Sequence, residues 1–351
     1  MPPARPRPTQ PVIRDAADIK RLKDANRNQP SRVTAVATRD RQAHEAANKP
    51  GELVPRPDTL PEPVQVDGLK VMKYLSDDYL YAWASMTPVQ RDAVALWCVA
   101  ANLAHLQTTG IEPEPVIETM PRLMLMSSQP GSGKTRVLEL VQRVVGARGI
   151  VVEPTPAAVQ GILGKNKEPL CLDEADVLFG KGARKEAIRA ILNNGYSRDG
   201  FVPHNRGEET LWIPVWGPVA LTALDVLETA TGEQMKPLFE RSVIIRMRKS
   251  RTAVAANKAA MRKQGMALHF AIQHWAEQNK DELAQPFWMP EVVANRDADV
   301  WGPLGQVARQ VGGDWPERWE RCVRELSKSA GKGTQLTSAE DVDSMLDDAF
   351  A

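Results

Sequence analysis

The hydrophobic and polar positions follow one period in the first part of the chain and another in the middle. Between residues 63 and 118, apolar residues recur every three or four positions, which is the period of a helix with one buried face. The clearest such pattern covers residues 93–104. The sequence TPVQ at residues 87–90 precedes it and is a capping box with proline at the first helical position. We therefore predict a small helical unit over residues 63–118.

From residue 119 onward, short apolar runs alternate with helical segments. Alternation of this kind is typical of an α/β core, in which a parallel sheet carries helices on both faces. After residue 250 only helical patterns follow, so we predict a core over residues 119–250 and a helical lid over residues 251–330. The predicted strands are residues 123–126, 150–152, 170–172, 212–215, 219–221 and 243–245. The predicted helices of the core are residues 135–148, 157–163 and 185–194.

The two ends of the chain differ from this core in composition. Residues 1–62 are rich in proline, and up to Pro57 they hold twelve Lys or Arg against six Asp or Glu. With few apolar residues to offset the entropy of ordering, this segment is predicted to be a mostly disordered basic arm. Residues 331–351 are predicted to be an acidic tail. Each of the two segments is either a solubilising tail or a segment that contacts another molecule. In the second case the basic arm would contact nucleic acid phosphates or a partner protein, and the acidic tail would contact a partner protein.

Composition and charge exclude several classes of protein. The 351 residues carry 45 Lys+Arg against 44 Asp+Glu, a net charge of +1, which excludes a strongly basic nucleic-acid coat protein. The cysteines Cys98, Cys171 and Cys322 are isolated, which argues against a disulfide scaffold or a zinc site and fits a reducing cytoplasm. The longest apolar stretch, residues 94–106, is shorter than the roughly 20 residues that span a bilayer. We therefore expect a cytoplasmic protein with no membrane segment and no secretory signal.

The most informative segment is SSQPGSGKT at residues 127–135, which follows a predicted strand and opens a predicted helix. This is the context that a Walker A loop requires, although the strict pattern has glycine where this chain has Ser128. The two glycines let the backbone turn its N–H groups toward the phosphates of ATP. Lys134 is expected to reach the β- and γ-phosphates, and the Thr135 hydroxyl is expected to bind Mg²⁺. The predicted nucleotide-binding residues of this segment are Ser128, Gln129, Pro130, Gly131, Ser132, Gly133, Lys134, Thr135 and Arg136.

An apolar strand that ends in two acids supplies the second half of the predicted site. Residues 169–174 read PLCLDE. Asp173 is expected to hold Mg²⁺ through water, and Glu174 is expected to polarise the attacking water. The alternative is that the two acids cap a helix. Because simple nucleotide kinases usually lack the second acid, the pair favours ATP hydrolysis coupled to motion over phosphoryl transfer to a small molecule.

Three further residues are candidates for contact with ATP because of their order along the chain. Thr222, at the end of a predicted strand, contacts the γ-phosphate or orients water, or is an ordinary strand-end hydroxyl. Arg241, just before the last strand, is expected to stabilise charge on the nucleotide of a neighbouring subunit, or else to pair with an acid such as Glu240. Arg296 opens a later helix and is a candidate second ATP sensor, or it pairs with Asp299.

These segments together resemble the AAA+ branch of P-loop ATPases, and in particular an uncharacterised domain family common in phages, prophages and plasmid replication regions. The ERSVIIRM and WGPL segments are more specific to that family than the Walker motifs are. The resemblance implies an AAA+-like P-loop fold, ATP and Mg²⁺ as ligands, a ring or helical homo-oligomer such as a hexamer, and work on DNA in a bacterial host's cytoplasm. The resembling stretches, within roughly residues 70–327, are PRLMLMSSQPGSGKTRVLELV, LCLDEADVLF, LNNGYSRDG, PLFERSVIIRM and NRDADVWGPLGQVARQVGGDWPERW.

A β-hairpin is predicted over residues 201–213, because the turn NRG at residues 205–207 lies between two apolar runs. In ring helicases a hairpin at this point enters the central pore, which implies that His204 and Arg206 contact nucleic acid, with Phe201 stacking or bracing. The alternative is a surface hairpin or a subunit contact. Arg198 is a further candidate for the neighbouring subunit's nucleotide.

Three functions remain open on the sequence. The first is a DNA-stimulated motor, a helicase or translocase of DNA replication or recombination. The second is a loader or remodeller that acts on another replication protein. The third is a nucleotide-stabilised scaffold whose ends recruit host replication factors.

Overall fold

The computed structural model describes residues 65–175, 182–206, 209–224, 235–249, 257–286, 289 and 296–327. The predicted basic arm and acidic tail lie outside these described residues. Within them the chain is a mixed α/β structure, with helices before, between and after the strands of a parallel sheet.

Five of the strands described form one parallel sheet, and two form a separate hairpin. The strands are β1 (Arg122–Ser127), β2 (Ile150–Val152), β3 (Leu170–Asp173), β4 (Phe201–Arg206), β5 (Glu209–Pro214), β6 (Val219–Leu224) and β7 (Ser242–Arg246). The sheet has the order β2-β3-β6-β1-β7, so the carboxyl ends of its strands meet at one edge. All six predicted strands are present, but the one predicted at residues 212–215 is β5, which lies outside the parallel sheet.

The helices described lie before the sheet, between its strands and after β7, and the sequence predicts helices in each of these regions, although it does not predict the short helix at Lys236–Phe239. They are α1 (Gly68–Lys73), α2 (Tyr81–Trp83), α3 (Pro88–Leu103), α4 (Lys134–Val144), α5 (Pro156–Gln160), α6 (Ala183–Asn194), α7 (Lys236–Phe239), α8 (Lys258–Gln278), α9 (Lys280–Leu283), α10 (Arg296–Val311) and α11 (Trp315–Cys322). Residues Tyr74–Leu80, Gly161–Lys165 and Val323–Ser327 form π-helical turns. None of the helices in the described ranges is long and apolar enough to cross a membrane.

The side chains of β1 show that the sheet is covered on both faces, as predicted. Leu123 and Leu125 belong to a core shared with α3, α4, α8, α10 and α11. Met124 and Met126 point to the opposite face, into a second core with α5, α6 and α7. All four side chains are fully buried. Successive side chains of the strand therefore enter two different cores, which is why every residue from Leu123 to Met126 is apolar.

Helix α3 is buried on all sides, whereas the sequence pattern predicts a single buried face. Its start is the predicted capping box, in which Gln90 N donates to Thr87 Oγ1 at 3.3 Å and Thr87 N donates to Gln90 Oε1 at 3.0 Å. From Asp92 to Ala101 every residue is buried. The cause is that α8, α10 and α11, which follow the sheet in sequence, pack around α3 and share its core.

Strands β4 and β5 form the predicted antiparallel hairpin, with Phe201 opposite Pro214 and Pro203 opposite Trp212. Val202 packs against the second core, so one face of the hairpin lies on the body of the protein. The opposite face is open, since Trp212 is 67% exposed and Phe201 is 42% exposed.

Candidate functional site

The loop between β1 and α4 carries the two backbone turns that the sequence predicts. Gly131 has φ +73° and Gly133 has φ +90°, both in the left-handed region that favours glycine. Gly133 is the residue before the first turn of α4, and no side chain caps that helix end. The free N–H groups of a helix start carry a partial positive charge, so this loop and helix together suit a phosphate group.

The side chains of this loop are arranged around an open surface. Ser128, Gln129, Pro130 and Gly131 are exposed, and Lys134 is half-buried. Ser132 is 4% exposed, and its Oγ has no hydrogen-bond partner among the described residues. Because buried hydroxyls are nearly always satisfied, this atom is suited to a ligand that the loop receives.

Asp173, at the carboxyl end of β3, joins the loop to two other strands. Its Oδ1 accepts a hydrogen bond from Thr135 Oγ1 at 3.4 Å and one from Thr222 Oγ1 at 2.5 Å. Since β6 lies between β3 and β1, Thr222 of β6 lies between the acid and the strand that leads into the loop. The structure therefore brings together Thr135, Asp173 and Thr222, as the sequence predicts.

Glu174 follows Asp173 in a backbone conformation that side chains rarely adopt. Its φ is +54°, and its side chain is exposed at the same edge of the sheet. The N–H of Glu174 donates to Asp173 Oδ1 at 3.1 Å and to Thr222 Oγ1 at 3.0 Å. A left-handed glutamate costs of order 1–3 kcal/mol, and such strain is concentrated at functional sites. Sequence reasoning places Glu174 here but gives no sign of this conformation.

The donor set at this edge fits a hard divalent cation together with a phosphate. Thr135 and Asp173 offer oxygen atoms, which Mg²⁺ prefers, and Mg²⁺ normally completes its shell with waters and substrate phosphates. Among the residues that the structure describes, no group of three or more His, Cys, Asp or Glu side chains is placed to hold a metal. A cation at this edge would therefore need the Thr135 hydroxyl, the Asp173 carboxylate and oxygens from a bound ligand or water.

Arg136, one of the predicted nucleotide contacts, forms an ion pair along its own helix. Its Nε lies 3.6 Å from Glu139 Oε2, and Glu139 also pairs with Lys258 of α8 at 3.1 Å. In this arrangement the Arg136 guanidinium is directed along α4 to Glu139, and the pairing links the loop's helix to α8.

Arg241 lies at the other edge of the sheet from the loop. Its carbonyl accepts a hydrogen bond from Arg122 N at the start of β1, whereas the loop follows the end of β1. Six strand residues at about 3.3 Å each separate the two points by about 20 Å. Arg241 therefore does not meet Lys134 of its own chain.

Arg296 begins α10, and the next turn of that helix also lies near Arg241. Asp299 and Val300 line a small cavity of about 40 Å³ together with Arg241 and Pro121. The backbone of Arg296 is thus placed toward the amino edge of the sheet, apart from the loop of the same chain. Its proposed sensor role stays a prediction.

Three further predicted contacts, His204, Arg206 and Arg198, have different surroundings. His204 is exposed on β4, on the strand face shared with Val202, and the backbone of Arg206 pairs with Glu209 at the hairpin tip.

Arg198 points inward: it donates to Ile117 O at 2.8 Å and to Ala104 O at 2.7 Å, and it lies over the Trp216 ring. In this structure Arg198 is therefore bonded within its own chain, where the sequence suggested a neighbour's nucleotide.

The comparisons with known proteins bear on the carboxyl-terminal part of the chain. The sequence profile of a family described as a protein of unknown function (DUF3631) matches residues 245–348. This range starts within β7 and includes the WGPL segment, and it does not include residues 128–136. No curated protein matches the chain.

Replacing Gly133 with alanine tests the loop geometry. An added Cβ would lie 3.6 Å from Met247 Cε, an ordinary contact, so the expected cost comes from φ +90° alone and is about 1–2 kcal/mol. Gly149→Ala is the matched control, because open space surrounds Gly149 and its φ lies outside the left-handed region. Denaturant unfolding of both variants measures the difference. An equal change in stability for the two would contradict the strain at Gly133.

Proposed function

We propose that the chain is an ATP hydrolase of the P-loop class, similar to AAA+ ATPases, that uses ATP for conformational work on DNA. The observation that most supports this is the meeting of Thr135, Asp173, Thr222 and Glu174 beside a glycine-bent loop that opens a helix. A phosphate-binding turn alone serves many nucleotide-binding proteins. The adjacent acids at the carboxyl end of β3 add the parts that hydrolysis needs.

In this proposal the loop binds the triphosphate and Thr135 and Asp173 hold Mg²⁺. The N–H groups between Gly131 and Thr135 face the phosphate oxygens, and Lys134 neutralises the β- and γ-phosphates. When bound, Mg²⁺ supplies positive charge that stabilises the leaving diphosphate.

Glu174 is the proposed general base. Its carboxylate accepts a proton from water as the water oxygen attacks the γ-phosphorus, the bond from that phosphorus to the bridging oxygen breaks, and ADP and phosphate form. Thr222 bonds both to the Asp173 carboxylate and to the Glu174 backbone. We therefore assign Thr222 the role of holding the two acids in place.

The proposed site is completed by a second copy of the chain. Arg241 is too far from the loop of its own chain to contact a nucleotide bound there. It lies at the amino edge of the sheet, where it could contact a nucleotide bound by a neighbouring subunit in a ring or helical oligomer. A cation placed near the γ-phosphate by a neighbouring subunit accelerates phosphoryl transfer strongly. Assembly and turnover are then linked, as in motors and loaders.

Work on DNA is the second part of the proposal. It rests on the resemblance and on the β4–β5 hairpin, whose open face carries Phe201 and Trp212 and whose strand β4 carries exposed His204. Exposed aromatic rings are typical platforms for unpaired bases. Trp212 was not among the sequence candidates, because an apolar residue in a strand suggests the core.

A measurement of ATP binding and hydrolysis with and without Mg²⁺ tests the proposal. We expect Mg²⁺-dependent release of phosphate, lost when the metal is chelated and increased by single-stranded or duplex DNA. Unwinding of a forked duplex would identify a motor, and turnover that needs a protein partner would identify a loader. Failure of the purified chain to bind ATP or a non-hydrolysable analogue would end the proposal.

A further inference from the structure

A tight turn at the amino edge of the sheet, residues 195–200, fixes the residues around Arg241. The turn connects α6 to β4. An added Cβ at Gly195 would lie 2.0 Å from Val215 O, and one at Gly200 would lie 2.1 Å from Asn194 O. Both glycines are therefore required by close backbone contacts, and the turn has little freedom to move.

Tyr196 lies within this turn, and its backbone is anchored on both sides. Its carbonyl accepts a hydrogen bond from Met120 N at 2.8 Å, and the next residue, Ser197, pairs with Thr119 in an isolated bridge. Thr119 Oγ1 in turn donates to Asp299 O at 2.9 Å. Tyr196 is thus held between the segment that leads into β1 and the first turns of α10.

The ring of Tyr196 supports the guanidinium of Arg241. The Arg241 Cζ lies 4.8 Å from the ring centroid, within the range of a cation–π contact. On another side, Arg241 Nη1 donates to Pro237 O at 2.8 Å. An arginine side chain loses rotamer entropy when it is fixed, and these two contacts restrict Arg241 before any ligand arrives.

We propose that Tyr196 is a positioning residue that orients Arg241 toward the nucleotide of a neighbouring copy. The inference rests on the proposed function, since it needs a nucleotide in the neighbour. A charge that is already oriented stabilises a transition state without the cost of reorganisation. Because about 20 Å separate Arg241 from its own loop, the effect of Tyr196 acts between copies and not within one.

Mixtures of variants of the full chain test this inference. Arg241→Ala keeps an intact pocket but offers no cation to its neighbour, and Glu174→Gln offers the cation but has an inactive pocket. A mixture of the two is expected to hydrolyse ATP faster than the sum of the two assayed alone. Tyr196→Ala is expected to lose about 10- to 100-fold in turnover, which is the usual effect of a misplaced catalytic group. Mixing Tyr196→Ala with Glu174→Gln is expected to restore turnover, because Glu174→Gln copies still offer a correctly oriented Arg241.

Two further variants separate positioning from a structural role. Tyr196→Phe keeps the ring and is expected to keep parent turnover, whereas the double variant Tyr196→Ala with Arg241→Ala is expected to be no slower than Arg241→Ala alone. Thermal unfolding checks that each variant is folded. If Tyr196→Ala is slow but is not rescued by Glu174→Gln copies, or if Arg241→Ala turns over at the parent rate, the inference is wrong while the ATPase proposal stands. Absence of ATP hydrolysis by the parent would remove both.

Discussion

Glu174→Gln is expected to bind ATP and Mg²⁺ as the parent does while its turnover falls by about 10²- to 10⁴-fold, the usual contribution of a positioned general base. The amide of glutamine has the size of the carboxylate but cannot take the proton of the attacking water. Nucleotide affinity is expected to stay unchanged, because the loop, Lys134 and the Thr135–Asp173 pair are untouched. Single-turnover phosphate release together with binding of an ATP analogue measures the two quantities separately.

Glu153→Gln is the matched control for that variant. Glu153 also follows a strand at the carboxyl edge of the sheet, is also exposed, and also has a left-handed backbone, with φ +47°. It has no place in the proposed site, so its turnover is expected to match the parent. Equal losses in the two variants would point to a general effect on the sheet edge, and parent turnover in Glu174→Gln would mean that another group accepts the proton.

The fold was largely predictable because its strongest signals are local. Each parallel strand contains a short apolar run, and Gly131 and Gly133 predict the left-handed backbone turns of the loop. The burial of α3 was underestimated, because periodicity along one helix carries no information about helices that follow it by more than 150 residues. Only the tertiary arrangement shows that α8, α10 and α11 close around it.

Some features of the candidate site were predictable from the sequence and others were not. The residues of the loop and the acids were predictable from order and spacing, since Thr135 opens a predicted helix, and Asp173 and Thr222 each directly follow a predicted apolar strand. The left-handed Glu174 and the hydrogen bonds of Thr222 were not predictable, because they depend on how β3 and β6 align. The support of Arg241 by Tyr196 joins residues 45 positions apart across a sheet edge, and no local pattern encodes it.

A buried charge network links the helices before and after the sheet. Arg318 of α11 donates Nε to Asp92 Oδ2 at 3.0 Å and Nη2 to Asp92 Oδ1 at 2.5 Å, and it also contacts Asp77 at 2.9 Å. Ser76 Oγ donates to Asp92 Oδ1 at 2.8 Å. The Asp92 side chain is 2% exposed and that of Arg318 is 13% exposed. This network lies where α11 packs on α3, so it joins a helix that follows the sheet to one that precedes it.

Arg318→Ala is expected to destabilise the fold by about 3–5 kcal/mol, because it leaves the Asp92 carboxylate buried without its cation. Arg324→Ala is the matched control: Arg324 pairs with Glu320 at 2.7 Å, but both side chains are exposed, so its loss is expected to cost less than about 1 kcal/mol. Denaturant unfolding gives both values. A double variant, Arg318→Leu with Asp92→Leu, is expected to recover part of the loss, since it removes the unpaired charge. If Arg318→Ala cost no more than Arg324→Ala, the network would be a surface contact in solution, and α11 would be held on α3 by its apolar residues alone.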